Sequence, residues 1–475
     1  VRTNPEFRRN LWLEFSPVRL VAMPLVLGLA FAATWLVDRD WGDVAGTALW
    51  LYGLLAFVWG TYRAAAALGE EVNAHTWDAQ RISSLGAWSM TWGKLLGATA
   101  YVWYGALICL AVRLVALGLA PESAGGPLLP VLLAHVGLVF QALLAQALAL
   151  GLALALHRKR RPGGALPVFL CQIGGLLAAL IGAQTLGLPL LSPIGPLAGA
   201  IDWFGLGLPP VPFTVAAGVV FAGWAVVGVH RLMRLELQFR NSPLVLVGFF
   251  AFLVVFLEGY VVAECNRTGY CAGEVMPWLL PVIGVAAAMV YVTLFLEPKD
   301  AVAWRAALAA AGRGRFDRLA TGLPMWIAPL LAGAAAVAVL CVLAVTSEVE
   351  GAALRFMARF GIDTGLRVWP VFVAGFLFVL RDIGIVLFCN FRRGARRPDL
   401  TALVVLVVLY VVVGGLLAAG PGGAWQALAR PWPAGDPLLT MAPPLIQAVV
   451  IWGAALWRGA RLTRIAPGAP AVQGA

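Results

Sequence analysis

Long apolar runs separated by short polar segments dominate this chain. Stretches of about 20 apolar residues, each enough for a helix to cross a ~30 Å hydrocarbon core, recur from end to end. The pattern predicts twelve spans: Val18 to Val37, Ala45 to Ala66, Leu95 to Leu117, Leu129 to Leu156, Ala165 to Leu186, Val211 to His230, Pro243 to Val262, Pro277 to Leu296, Met325 to Val345, Val368 to Phe391, Leu400 to Ala419 and Leu438 to Trp457. Ahead of the first, Phe7, Leu11 and Phe15 repeat every four residues beside Trp12, with Arg8, Arg9 and Glu14 on other faces. This spacing predicts an amphipathic elbow helix over Pro5 to Pro17, lying flat in the membrane interface. The expected fold is an all-α polytopic membrane protein.

Composition agrees, with 61% hydrophobic residues and 12% charged, about half the charged share of a soluble domain. The net charge of +11 raises nucleic acid as a partner, and its distribution argues against it. With the N-terminus inside and twelve spans, Arg39, Arg113, Arg267, Arg355, Arg359, Arg367 and Arg430 fall in or beside outer loops, and Arg381 falls within a span. That leaves 26 of the 34 Lys and Arg on the inner side. The asymmetry predicts cytoplasmic N- and C-termini and makes the positive charge a topological signal. Richness in Ala, Gly and Arg suggests a bacterial genome, hence a bacterial inner membrane.

The chain also reads as duplicated. His230 to Arg240 is a second basic amphipathic stretch running into a Ser-Pro, and Ser16-Pro17 and Ser242-Pro243 are 226 positions apart. Arg158 to Pro162 answers Arg392 to Pro398, and Arg81 to Ser84 answers Arg318 to Thr321, at spacings of 236 and 237. The expectation is two parallel halves, 1–235 and 236–475, each an elbow plus six spans, with a substrate path at their contact.

Between the second and third spans lies a polar interruption, Gly69 to Lys94, too polar to cross a bilayer. Thr76 stands where it could cap a short helix with Asp78 in its first turn, and Trp88 and Trp92 fall one turn apart, facing the headgroups. Read from periodicity alone, the segment could equally be a plain loop. Glu70-Glu71, Thr76-Trp77-Asp78, Arg81 to Leu85 and Trp88 to Leu95 with Gly93-Lys94 resemble the cytoplasmic segment between the second and third spans of ABC-exporter permeases of the type 2 superfamily. The elbow, the six-span unit and the basic loop after the fourth span agree with that resemblance, which covers the first half well and the second weakly. It implies that Glu70, Glu71, Thr76, Trp77, Asp78 and Arg81 couple the spans to a cytoplasmic ABC ATPase, with two ATPase copies per chain. Trp304, Arg315, Asp317 and Arg318 would form the weaker counterpart in the second half, where Glu297 and Asp300 replace the acid pair.

A phosphate-binding loop needs Gly, four residues, then Gly-Lys-Ser/Thr, and the only Gly-Lys is Gly93-Lys94, followed by Leu95. This chain is therefore expected to be no enzyme and to bind no cofactor itself, with ATP acting through the partner. An ion-coupled secondary transporter of twelve spans is the alternative. Arg381-Asp382, near mid-membrane, would either line a translocation path or form a structural ion pair. His135, Gln141, Gln146 and Gln172 suit interhelical hydrogen bonds. Four His without ligand spacing give no metal site. Cys265 and Cys271, in an outer loop, are a disulfide candidate. The substrate is not legible.

Overall fold

The computed structural model describes residues 4–120, 128–159, 167–185, 200–239, 241–268, 276–299, 301–315, 322–346, 369–392, 398–419, 423–431 and 436–463. Among them the chain is helical apart from turns and a hairpin of two short strands, β1 (Ile201–Trp203) and β2 (Leu206–Leu208). Ten helices among the described residues are long and apolar enough to cross a membrane. Two shorter apolar helices, Val168–Leu180 and Ile327–Leu343, fall where the fifth and ninth spans are expected. The protein is a multi-pass helical membrane protein. Its contacts divide it into two compact units, Val1–Asp202 with Leu206–Asn241, and Trp203–Gly205 with Ser242–Ala475.

The first unit opens with α1 (Pro5–Glu14), capped by Asn4, whose Oδ1 accepts from the N–H groups of Glu6 and Phe7. Phe15 is extended, and Ser16 caps α2 (Pro17–Asp38) by accepting from Arg19 N–H. The next span joins α3 (Trp41–Tyr52), a π-helical stretch (Gly53–Trp59) and α4 (Gly60–Asn73). Its 33 residues extend ~50 Å, about 20 Å more than a hydrocarbon core requires, so one end stands outside. Then follow α5 (Trp77–Arg81), α6 (Ala87–Trp92), a second π stretch (Gly93–Gly97), α7 (Ala100–Leu119), α8 (Leu128–Lys159), α9 (Val168–Thr185) and α10 (Pro210–Glu236). Helix α3 packs on α7, and α8 packs along α4, α9 and α10. Buried Ala142, Ala145, Ala149 and Ala153 on α8 let these backbones approach closely, as small residues do in membranes.

A π turn leaves carbonyls in need of new donors. Gln146 Nε2 on α8 donates to Ala56 O, and Gln172 Nε2 on α9 donates to Val58 O, each at 2.9 Å. Trp103 Nε1 on α7 donates to Gln146 Oε1 at 3.1 Å. The interhelical role expected of these two glutamines holds. His135 instead pairs with Val131 O in its own helix, and Gln141 Oε1 is buried without a hydrogen bond.

The second unit contains α11 (Leu244–Thr268), α12 (Met276–Leu296), α13 (Ala301–Ala311), α14 (Ile327–Thr346) and α15 (Trp369–Asn390). Beyond them come α16 (Pro398–Val407), a π stretch (Val408–Val413), α17 (Gly414–Ala418) and α18 (Pro437–Thr463). Helix α12 packs on α11 and α14, and α15 packs along α16 and α18. The expected second elbow does not form. Helix α10 runs unbroken through 231–236, because no Pro or capping residue interrupts it after His230. It ends where Gln238 takes a left-handed φ of 63°. Asn241 Nδ2 then ties back to Arg231 O at 2.8 Å, and Asn241 is the last residue of the first compact unit.

Candidate functional site

Where the long second span ends, a charged network replaces apolar packing. Lys94, only 1% exposed, ion-pairs through Nζ with Glu71 and lies 3.6 Å from Glu6 Oε1. It sits 4.9 Å from the centre of the Trp77 ring, a cation–π contact. Glu71 also accepts from Arg9, and from Gln80 Nε2 at 2.8 Å. Two acids thus face two cations, most of them out of water, where losing one partner is far more damaging than at a surface.

Two glycines make this arrangement fit. A Cβ on Gly93 would collide with the Glu6 side chain, and one on Gly97 would lie 3.0 Å from Asn10 Cβ. Only a backbone lacking side chains there lets α1 settle on the start of the third span. Asn10 Nδ2 fixes the contact by donating to Gly93 O at 3.2 Å. At its other end, Asn4 Nδ2 donates to Ser89 O at 2.8 Å and Asn4 Oδ1 accepts from Ser89 Oγ at 2.6 Å. Arg63 adds a second tie between α1 and α4, pairing with Glu14 and, at 2.6 Å, with Glu70.

The same segment grips two more helices. Arg81 Nε donates to Glu236 O at the end of α10 at 3.1 Å. Trp77 meets His157, near the end of α8, edge-on at 6.2 Å. Trp88 stacks on His230 of α10 at 3.8 Å and on Trp92 at 6.2 Å. The residues from Trp77 to Gly97 therefore touch α1, α4, α8 and α10 while continuing directly into α7.

The six residues expected to face a partner separate into two groups. Glu71 and Trp77 are buried inside the network. Glu70 and Asp78 point outward, the Asp78 side chain being 87% exposed, and Arg81 is half-buried. Thr76 stands before α5 but does not cap it. Its φ and ψ are already helical, −89° and −17°, which turns the hydroxyl back to donate to Glu71 O at 3.2 Å. Trp88 and Trp92 stack on each other, and Trp88, which stays 45% exposed, stacks on His230 as well. Sequence reading missed Glu6, Asn10, the burial of Lys94, and Ile82, which projects 88% exposed from the tip. The Gly93-to-Gly97 spacing, a small residue every fourth position, was the signal available for the α1 contact.

The second unit holds a sparser version. Glu297, just past α12, accepts from Met325 N–H at 2.8 Å, ahead of α14. Trp304 meets Trp326 at 6.4 Å and Phe391, at the end of α15, at 6.2 Å. Lys299 pairs with Asp399 at 2.8 Å. Arg315 is exposed; Asp300, Asp317 and Arg318 lie outside the described residues.

Arg381 and Asp382 are both buried, Asp382 at 0% exposure. Asp382 Oδ1 accepts from Arg381 Nε at 2.9 Å, and Oδ2 accepts from the hydroxyls of Tyr291 and Tyr410 at 2.6 and 2.7 Å. Arg381 Nη1 donates to Gln447 Oε1 at 2.9 Å. Side chains from α12, α15, the π stretch and α18 converge here, an arrangement that ties four helices together. Cys265 is disulfide-bonded; Cys271 lies outside the described residues. Among the described residues no cluster of His, Cys, Asp or Glu could hold a metal.

No protein-family model matches the chain, and no curated protein or solved structure matches it.

Proposed function

We propose that this chain is the membrane permease of an ABC exporter, with Gly69 to Lys94 as the element that receives motion from a separate cytoplasmic ATPase. The observation that carries this reading is mechanical. One short polar segment contacts α1 and the ends of the second, third, fourth and sixth membrane helices of its unit, while Glu70, Asp78 and Ile82 are exposed on its outer rim. A push on that rim reaches five helices at once, the kind of rigid-body shift a docked motor can bias. Glu71, Lys94 and Trp77 act in this reading as positioning residues, and the rim meets the partner.

A twelve-span, two-unit repeat with cytoplasmic termini belongs to the same proposal, and internal packing supports the repeat. In both units the second helix packs on the third and the fourth on the fifth and sixth. An acid at or just past the end of the second membrane helix binds the start of the third in each, and Trp77 and Trp304 each meet, at 6.2 Å, a ring at the end of the fourth.

The test is assembly with a candidate ABC ATPase and ATP-dependent transport in proteoliposomes. Asp78→Arg combined with Ile82→Asp should leave the purified permease as thermally stable as the parent and abolish co-purification with the ATPase. Unchanged assembly and transport in that variant would overturn the coupling role. Transport without any ATPase would favour the ion-coupled alternative.

A further inference from the structure

One buried charge-bearing residue takes no part in any of these networks. Glu258 lies on α11, fourteen residues from Leu244, or ~21 Å along a helix, within a span apolar enough to cross the membrane. It is 8% exposed, and its Oε2 is buried without a hydrogen-bond partner. Among the described residues, the elements packed on α11 supply no counter-charge. Helix α12 offers Tyr291 as its one titratable group and α14 offers Cys341, while Trp203–Gly205, held to α11 through Phe256 O and Gly259 O, offers none. On α11 itself the other titratable groups are Tyr260, Glu264, Cys265 and Arg267, and Glu264 and Arg267 pair with each other at the exposed end. The nearest cation in sequence, Arg267, is therefore engaged, about two and a half turns away.

An ionised carboxylate in such surroundings is strongly unfavourable, so the group carries a proton or meets a cation. Buried acids inside spans otherwise come paired, as Asp382 does here with Arg381 and two tyrosines. Glu258 is built differently: it is placed where charge is disfavoured, and no group among the described residues neutralises it. We propose that Glu258 is a cation-exchange site within the membrane, occupied by a proton and open to replacement by a monovalent cation. The proposal rests on the second unit's passage through the membrane and is independent of any ATPase.

The test is labelling by dicyclohexylcarbodiimide, which adds across its C=N bond to a protonated carboxyl in an apolar setting and rearranges to a stable N-acylurea with no leaving group. The protein is reconstituted in vesicles and the adduct located by peptide mass. Glu258 should be labelled at pH 6, with Glu264 unlabelled as the internal control, and labelling should fall about tenfold per pH unit once the group ionises within the range to pH 9. Glu258→Gln should remove the adduct without loss of folding. Protection by tetraphenylphosphonium would make an organic cation the exchanging species; pH dependence without protection would leave the proton. Absence of the adduct, or labelling unchanged from pH 5 to 9, would overturn the proposal by showing a fixed structural acid.

Discussion

At the scale of single residues, this molecule separates buried charges that hold it together from charges exposed at its surface. Glu71 and Glu70 are neighbours in sequence with opposite fates. Glu71 completes a buried network around Lys94, and Glu70 stands at the surface beside Arg63. Lys94→Met should take the buried cation from Glu6 and Glu71, leaving the half-exposed Arg9 beside them, and lower stability by about 3–5 kcal/mol, read as unfolding free energy by SDS titration in mixed micelles. Asp78→Asn, on an exposed side chain, should leave that free energy unchanged. In the second unit Asp382→Asn should destabilise by a similar 3–5 kcal/mol, since Arg381 would lose its counter-charge. The pair replacement Arg381→Met with Asp382→Leu should recover most of the loss. If Asp382→Asn is neutral in stability yet impairs transport, the pair lines a path instead of tying helices.

The helices themselves depend on close approach and on borrowed hydrogen bonds. Gly93→Ala should push Glu6 away, loosening α1 at a cost of about 1–3 kcal/mol, and hydrogen exchange should rise across Pro5–Glu14 while α8 stays protected. Gln146→Leu should leave Ala56 O without its donor inside the π stretch and destabilise by about 1–3 kcal/mol; an unchanged unfolding curve would mean the π turn satisfies itself. Much of this level was legible beforehand. Apolar run length located the helices, the four-residue repeat of Phe7, Leu11 and Phe15 located α1, and Gln146 and Gln172, unlike Gln141 and His135, marked helix contacts. The π turns were not legible, because Gly53–Trp59 carries the same apolar residues as any span and its widening is set by neighbours. The second elbow failed for a local reason: basic amphipathic residues after His230 look interfacial whether or not a break precedes them. Glu258 went unnoticed because one acid in an apolar run says nothing about whether a partner waits in three dimensions.

For the whole molecule, the candidate site was only half visible. The sequence picks out Glu71 and Asp78 alike as polar residues in one segment, and nothing in their spacing says that one is sealed beneath α1 and the other projects. That sorting depends on Asn10 meeting Gly93 and Glu6 meeting Lys94, across 83 and 88 positions of chain. The outcome is a unit whose helix ends converge on one exposed tip, and the tip is where a motor would be felt. A photoreactive benzoylphenylalanine in place of Ile82, illuminated in intact cells, reads the tip directly. The expected result is one adduct, identified by peptide sequencing as an ATP-binding subunit carrying a phosphate-binding loop, and lost when Asp78→Arg is added. An Ile82 position that reacts with membrane-impermeant reagents from outside the cell, or that yields no ATPase adduct in transport-competent cells, would contradict it.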